Sequence, residues 1–236
     1  LHHSIEGCLD RLQVDFVDLL FCHRADPNTP LEETVWAMSD LVERGKVLYW
    51  GTSEWTADEI RAAYEIAERH HLHKPVMEQP QYNMLERKRV EVEYRRLYED
   101  LGLGTTIWSP LASGVLTGKY LPGQPAPKGS RAADPNAGPM IEKFIRDDLL
   151  AAVQNLRPLA EELGLTMAQF GLAWVLQNSN VTSAIVGATK PEQLDDNIKA
   201  VGVEIPLEIM KRVDEVLDGF IVRDPSETKS PPTRLV

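Results

Sequence analysis

Residues 105–120 read TTIWSPLASGVLTGKY. A β-branched run, Thr105, Thr106 and Ile107, opens the stretch and leads into Trp108-Ser109-Pro110. Small residues follow, Ala112, Ser113 and Gly114, and then Gly118-Lys119-Tyr120. Such a strand ends in a turn where the backbone can come close, amides and hydroxyls can donate, and a lysine supplies charge. That combination suits a phosphate and a ring. A strand, a proline turn and a surface loop is the plainer alternative, and the neighbouring segments decide between them.

Upstream, residues 1–12 read as a helix end with Ile5, Leu9 and Leu12 at helical spacing. Residues 15–23 (DFVDLLFCH) are nearly continuous apolar sequence, which predicts a strand buried on both faces. Thr29 and Glu32 spell a capping box with Pro30 at the first helical position. Leu31, Val35, Met38 and Val42 then make one apolar face, closed by Gly45. A second strand over 47–50 runs into Gly51-Thr52-Ser53-Glu54-Trp55, and Thr56 with Glu59 caps the next helix. A third strand over 75–79 ends in Pro80-Gln81-Tyr82-Asn83, and a charged helix covers about 86–101.

Beyond the opening stretch lies a Pro/Gly/Ala-rich loop over 122–139, then helical sequence near 141–163 and, capped by Thr166 and Gln169, to about 177. Residues 183–187 predict a fifth strand. Thr189 and Glu192 are set to cap a helix with Leu194, Ile198 and Val201 on its inner face, and a last helix starts at 206. The tail from 223 is polar and expected to be irregular.

Composition narrows the function classes. The chain has 236 residues, enough for one large domain over 1–236, with 43% hydrophobic and 26% charged residues, as in globular proteins. A net charge of −11 argues against a nucleic-acid partner. Cys8 and Cys22 are too few for a disulfide framework and fit a reducing, cytoplasmic setting. No apolar run has bilayer-crossing length, so membrane insertion is not expected. His2, His3, His70, His71 and His73 lack partners at metal-ligand spacing.

Five strand-then-helix units with apolar strands mean a parallel sheet covered by helices. Either a doubly wound sheet or part of a (β/α)8 barrel would serve. Every strand ends in polar or aromatic equipment: His23-Arg24, Thr52-Ser53-Glu54-Trp55, Gln79-Pro80-Gln81-Tyr82, Ser109-Pro110-Leu111 and Gly187-Ala188-Thr189-Lys190. A doubly wound sheet concentrates its site at one switch point, whereas all barrel strands converge on one mouth. No Gly-x-Gly-x-x-Gly follows any strand. The barrel is the better reading, and a complete one needs eight units.

Read together, Arg24 with Asp26-Pro27-Asn28-Thr29-Pro30, Trp50-Gly51-Thr52-Ser53, Glu78-Gln79 with Tyr82, Trp108-Ser109-Pro110-Leu111-Ala112, Gly118-Lys119-Tyr120, Ser130-Arg131-Ala132 and Gly187-Ala188-Thr189 with Glu192-Gln193-Leu194 and Asn197-Ile198 resemble the aldo-keto reductases. The nearest branch is that of the β-subunits of voltage-gated potassium channels and their microbial relatives. The resemblance implies a (β/α)8 TIM barrel, present here as about strands 4 to 8, with the N-terminal βα units absent from this chain. The chain, which starts at Leu1, is accordingly expected to be a piece of a longer reductase.

The resemblance also implies NADP(H) in extended form and reduction of aldehydes or ketones to alcohols. By position, Ser53 and Gln79 would hold the nicotinamide carboxamide, with Trp108 at the nicotinamide end. Ser109, Pro110, Leu111 and Ser113 would line the pyrophosphate, with Lys119 and Arg131 near the phosphates. Gly187, Thr189, Lys190, Gln193, Asp196 and Asn197 would hold the adenosine end, where Gln193 replaces an arginine common in the family. His23 matches the catalytic histidine; channel β-subunits commonly carry asparagine there. The family's catalytic aspartate, tyrosine and lysine belong to units that this sequence does not contain. Trp55 and Tyr82 line a substrate pocket or pack in the core. A cofactor-sensing regulatory subunit, or a catalytically inactive fragment, is the alternative to an enzyme, and a homo-oligomer is left open.

Overall fold

The apolar run at 15–23 forms β1 (Val17–Cys22). A computed structural model describes residues 1–221, so the tail expected to be irregular lies outside the described residues. Within the span that the sequence reading treats as one domain, the described residues form two compact units. Leu1–Pro80 and Val90–Thr106 make the first; Gln81–Arg89 and residues 107–221 make the second.

In the first unit, α1 (His2–Leu12), β1, α2 (Leu31–Glu43), β2 (Val47–Thr52), α3 (Ala57–Arg69), β3 (Met77–Glu78) and α4 (Arg95–Leu101) alternate, and β4 (Gly104–Ile107) begins. Pairing is parallel and in chain order. Val17 lies opposite Val47 and Cys22 opposite Thr52; Gly51 faces Met77, and Met77 faces Gly104. Parallel neighbours need a crossover, and each pair has helical sequence between its strands. Ile5 and Leu9 of α1, Val35, Met38 and Leu41 of α2, Trp50, Ile60, Ala63, Tyr94 and Leu97 form the core. The buried indoles are satisfied: Trp50 Nε1 donates to the His73 carbonyl at 2.8 Å and Trp55 Nε1 to that of Cys22 at 3.1 Å.

The Thr56–Glu59 capping box forms as expected, with both reciprocal bonds present. The one expected at Thr29 does not. α2 starts at Leu31 with Pro30 at its cap, and the Thr29 hydroxyl donates instead to Asp26 Oδ2 at 3.0 Å. With Pro30 at the cap, Thr29 stands one residue ahead of the position whose side chain can accept the third helical amide. β1 is not buried on both faces either. Cys22 is 8% exposed and Leu20 packs on the core, but Leu19 is 44% exposed. Helices cover one face, and among the described residues no layer covers the other. The charged helix expected from 86 begins late: Arg89–Glu93 is a wide π turn and α4 starts at Arg95. That turn carries Glu93, whose carboxylate accepts the Ala57 amide at 2.8 Å and satisfies an orphan donor at the start of α3.

The second unit holds α5 (Gly138–Ile141), α6 (Asp147–Asn155), α7 (Arg157–Glu162), α8 (Met167–Leu176), β5 (Ser183–Ala184), α9 (Pro191–Asn197) and α10 (Leu207–Leu217). Beside β5, the Ile185 amide donates to the Ile107 carbonyl at 2.8 Å, so hydrogen-bonded strands keep to chain order. α8 is buried almost all round, which suits its mostly apolar sequence MAQFGLAWVL. Trp174 of α8 lies 5.3 Å from the Tyr82 ring, and the Arg87 guanidinium sits 4.4 Å over its face while pairing with Asp214.

Leu194, Ile198 and Val201, expected on an inner face, are 49%, 69% and 67% exposed. α9 ends at Asn197 and a 3-10 turn, Ile198–Ala200, follows. The tighter turn advances each residue further around the axis than an α-helix does, and Ala200 becomes the buried position. The Thr189–Glu192 box is also absent: Lys190 is the cap of α9 and makes no side-chain bond. No described helix is long and apolar enough to cross a membrane. Among the described residues no group of His, Cys, Asp and Glu could hold a metal ion.

Candidate functional site

Each unit carries polar side chains at the C-terminal ends of its strands. In the first unit a relay crosses four successive strand ends. Arg24, past β1, donates through Nη1 to the His23 carbonyl and, at 3.3 Å each, to the Ser53 carbonyl and Oγ. Ser53, past β2 and 3% exposed, donates its hydroxyl hydrogen bond to the Gln79 carbonyl at 2.9 Å. Gln79, past β3, reaches Thr106 Oγ1 of β4 through Nε2 at 3.5 Å. Its backbone amide is held by the Thr52 carbonyl at 2.8 Å. The chain thus leaves Gln79 Oε1 without a donor, in a side chain whose backbone is tied on both sides.

His23 stands at the exposed end of this relay. Its pKa is lowered from the ordinary histidine value, first by partial burial and then by the neighbouring Arg24 cation, with Glu54 pulling the other way. The imidazole is therefore neutral at physiological pH and able to donate or accept without bringing charge. Removing Arg24 removes one cause of the depression, and a lost positive neighbour favours the charged imidazole. In Arg24→Ala, the His23 ring titration followed by NMR should move up toward the ordinary value. A midpoint that stays put would mean that burial alone sets it. Beside it, burial pushes the Cys22 thiol up to about 12, so it stays protonated.

Trp55, at the β2 end, is 1% exposed and belongs to the core of the first unit. Tyr82, in the second unit, is 2% exposed, stacks on Trp174 and accepts from Asn178 Nδ2 at 3.3 Å through its hydroxyl. Of the two roles open to these residues, both occupy packed positions. A hollow of about 480 Å³ elsewhere in the first unit, lined by residues such as Leu48, Tyr49, Leu72 and Val76, includes none of the expected site residues. It lies toward the N-terminal part of β2, away from the strand ends that carry the relay.

In the second unit the opening stretch is a chain of unusual backbone angles. Ser109, Ala112 and Ser113 have φ of 55°, 46° and 56°, and Gly114 has 96°. Left-handed conformations at three non-glycine residues carry strain and are held by local bonds. Ser109 Oγ accepts the Ser113 amide at 3.1 Å, its carbonyl accepts Asn83 Nδ2 at 3.0 Å, and the Gly114 amide reaches the Leu111 carbonyl at 2.9 Å. Gly114 is needed for its angle, and its backbone lies close under the lysine: a Cβ there would come 2.9 Å from Lys119 Nζ, which would have to swing away. The lysine is folded back over its own turn and the Tyr120 ring, and among the described residues it has no carboxylate partner. The Ser109 hydroxyl keeps its proton to donate, and the Ser113 hydroxyl has no partner in the described chain.

Tyr120 ends the stretch and connects it to the loop beyond. It is 2% exposed, and its hydroxyl accepts the Ala132 amide at 3.3 Å. This bond pins the short turn Arg131–Ala133 beside it, with Arg131 exposed. The tether was not readable from residue types, because a buried tyrosine and a loop amide give no periodic signal. At the β5 end, Gly187, Thr189 and Lys190 are exposed. Gln193 Oε1 accepts both the Thr189 amide at 2.7 Å and its hydroxyl at 3.3 Å. The side chain that replaces the expected arginine is thus turned onto its own loop. Asp196 is bonded to Gln169, and Asn197 closes α9.

A sequence profile of the aldo/keto reductase family matches residues 1–218. The chain belongs to the aldo/keto reductase family. Its (β/α)8 fold is present in part, as five of the eight strands of a complete barrel. This aldo/keto reductase is 47% identical over 223 residues to the "Probable voltage-gated potassium channel subunit beta" of Arabidopsis thaliana, an alignment covering 92% of the chain and 67% of the relative. It is 46% identical over 227 residues to the protein of the same name from Oryza sativa subsp. japonica, covering 96% and 68%.

Proposed function

We propose that this aldo/keto reductase chain contributes to an NADP(H)-dependent oxidoreductase that reduces aldehydes or ketones. The turn at the end of β4 supports the reading most directly. Its left-handed backbone, two serine hydroxyls and a lysine folded back over Gly114, without a carboxylate partner among the described residues, form a small cradle. Such a cradle fits a pyrophosphate, because donors and charge converge where the backbone is closest. In the first unit, Gln79 Oε1 is an acceptor without a donor among the described residues and suited to a carboxamide N–H; Ser53 holds the Gln79 backbone, and the Nε2 contact with Thr106 Oγ1 orients the side chain. The residues present therefore fit the cofactor, which when bound supplies the hydride.

His23 would hydrogen-bond a substrate carbonyl oxygen as a neutral imidazole, orienting it and drawing electron density from the carbon. Arg131, pinned through the Tyr120–Ala132 bond, would add a charged donor to the phosphates, and Thr189 with Lys190 would meet the adenosine 2′-phosphate. A regulatory role that senses the cofactor is favoured by the names of the relatives; His23 in place of asparagine favours the enzyme.

NADPH fluorescence titration tests the cofactor reading. The chain should bind NADPH, and Arg131→Ala should weaken binding about 10-fold, the scale of one charge-assisted hydrogen bond. Unchanged affinity in the variant would remove Arg131 from the site, and no binding by the wild-type chain would overturn the cofactor reading itself. NADPH-dependent turnover of 4-nitrobenzaldehyde by the full-length protein separates the enzyme from the cofactor sensor.

A further inference from the structure

Asp196 lies in α9 among the residues assigned to the adenosine end, yet its carboxylate is committed elsewhere. Gln169 Nε2 donates to its Oδ1 at 2.7 Å and to its backbone carbonyl at 3.2 Å. The Thr166 hydroxyl donates to Oδ2 at 3.3 Å, and Lys199 Nζ lies 3.7 Å from Oδ1. Gln169 is 6% exposed. Its other amide atom, Oε1, accepts the Thr166 backbone N–H at 3.1 Å, and its own N–H donates to Thr166 Oγ1 at 3.2 Å, completing the capping box of α8. One planar amide therefore uses its acceptor on the start of α8 and its donors on α9.

Resting on the cofactor reading above, we infer that Gln169 is a positioning residue for the adenosine half of the site, acting through Asp196. The clamp fixes α9 by a side chain and a backbone atom at once, which leaves little rotation about the helix axis. Gln193 and Asn197 share α9, and Gln193 in turn holds the Thr189 amide and hydroxyl. The order of support runs from the α8 cap through Asp196 to α9, and from α9 through Gln193 to the loop that would meet the nucleotide. Gln169 acts only through Asp196 and would not itself touch the cofactor.

The two ends of the amide can be separated by an isosteric change. In Gln169→Glu the side chain still accepts the Thr166 N–H, so the helix cap survives, but it has no hydrogen to give Asp196 and sets one carboxylate against another. Asp196→Asn alone keeps an acceptor for the Gln169 amide. The double variant Gln169→Glu/Asp196→Asn reverses the donor and acceptor and restores the bond. NADPH fluorescence titration of the 236-residue chain, with a thermal melt of each variant, should show about 10-fold weaker binding in Q169E. D196N measures what the Asp196 charge itself adds to binding, and the double variant should recover to within about 3-fold of D196N. Q169E with wild-type affinity, whatever its melting midpoint, overturns the inference. So does a double variant no tighter than Q169E. If the wild-type chain binds no NADPH, the cofactor reading has failed first and the positioning role falls with it.

Discussion

Gly51→Ala should lower the thermal unfolding midpoint by about 6–12 °C, the equivalent of about 3 kcal/mol for a chain of this size. Gly51 lies in β2 directly opposite Met77 of β3. A Cβ at this position would sit 2.2 Å from the Met77 carbonyl oxygen, 2.9 Å from its carbonyl carbon and 2.5 Å from its Cγ. The methionine side chain could swing away, but the carbonyl is backbone in a paired strand and cannot. The strands would have to part at the pair that leads into Ser53 and Gln79. Overpacking of an ordinary core costs about 1–3 kcal/mol, and a clash with backbone belongs at the top of that range. Thermal melts followed by circular dichroism provide the check. A fall of less than about 2 °C would show that β2 and β3 can separate cheaply.

The second large effect is expected at Trp174, where the contrast between two substitutions carries the argument. The indole is 2% exposed; it stacks on Tyr82 and lies under the Arg87 guanidinium. Trp174→Ala empties a large volume and removes the aromatic face beneath a buried cation, which should cost about 3–5 kcal/mol. Trp174→Phe should cost far less, about 1 kcal/mol, because the ring face remains and Trp174 Nε1 has no acceptor among the described residues. Losing a donor that makes no bond forfeits nothing. Urea unfolding of both variants would measure the two values. A phenylalanine variant as unstable as the alanine one would show that the indole nitrogen has a partner, such as a buried water.

Much of this was legible in residue order. The cores of β1, β2 and β4 stand within the apolar runs at 15–23, 47–50 and 105–107, because a parallel strand needs little more than continuous apolar sequence and a turn. The boxes at Thr56 and Thr166 formed because each threonine is the cap residue itself and its oxygen meets the amide three residues on. At Thr29 the helix starts one residue later, with Pro30 at its cap, and the same motif failed. The apolar spacing of Leu194, Ile198 and Val201 misled because a 3-10 turn broke the helix between them, a change that periodicity cannot register. In the site, the positions of Ser53, Gln79 and Ser109 followed from strand ends. The bonds that orient them did not: the reach of Arg24 to Ser53 at the next strand end, the Tyr120 tether on Ala132 and the grip of Gln169 on Asp196 each join residues whose relation is set only by folding.

The box at Thr166 and Gln169 has a consequence for how this chain can change. The amide that starts α8 also holds α9, so a substitution chosen to improve the helix is at the same time a substitution in the support proposed for a nucleotide. Selection for heat resistance and selection for cofactor strength would therefore meet at one side chain. A drifting lineage could alter position 169 freely only after position 196 had changed to match.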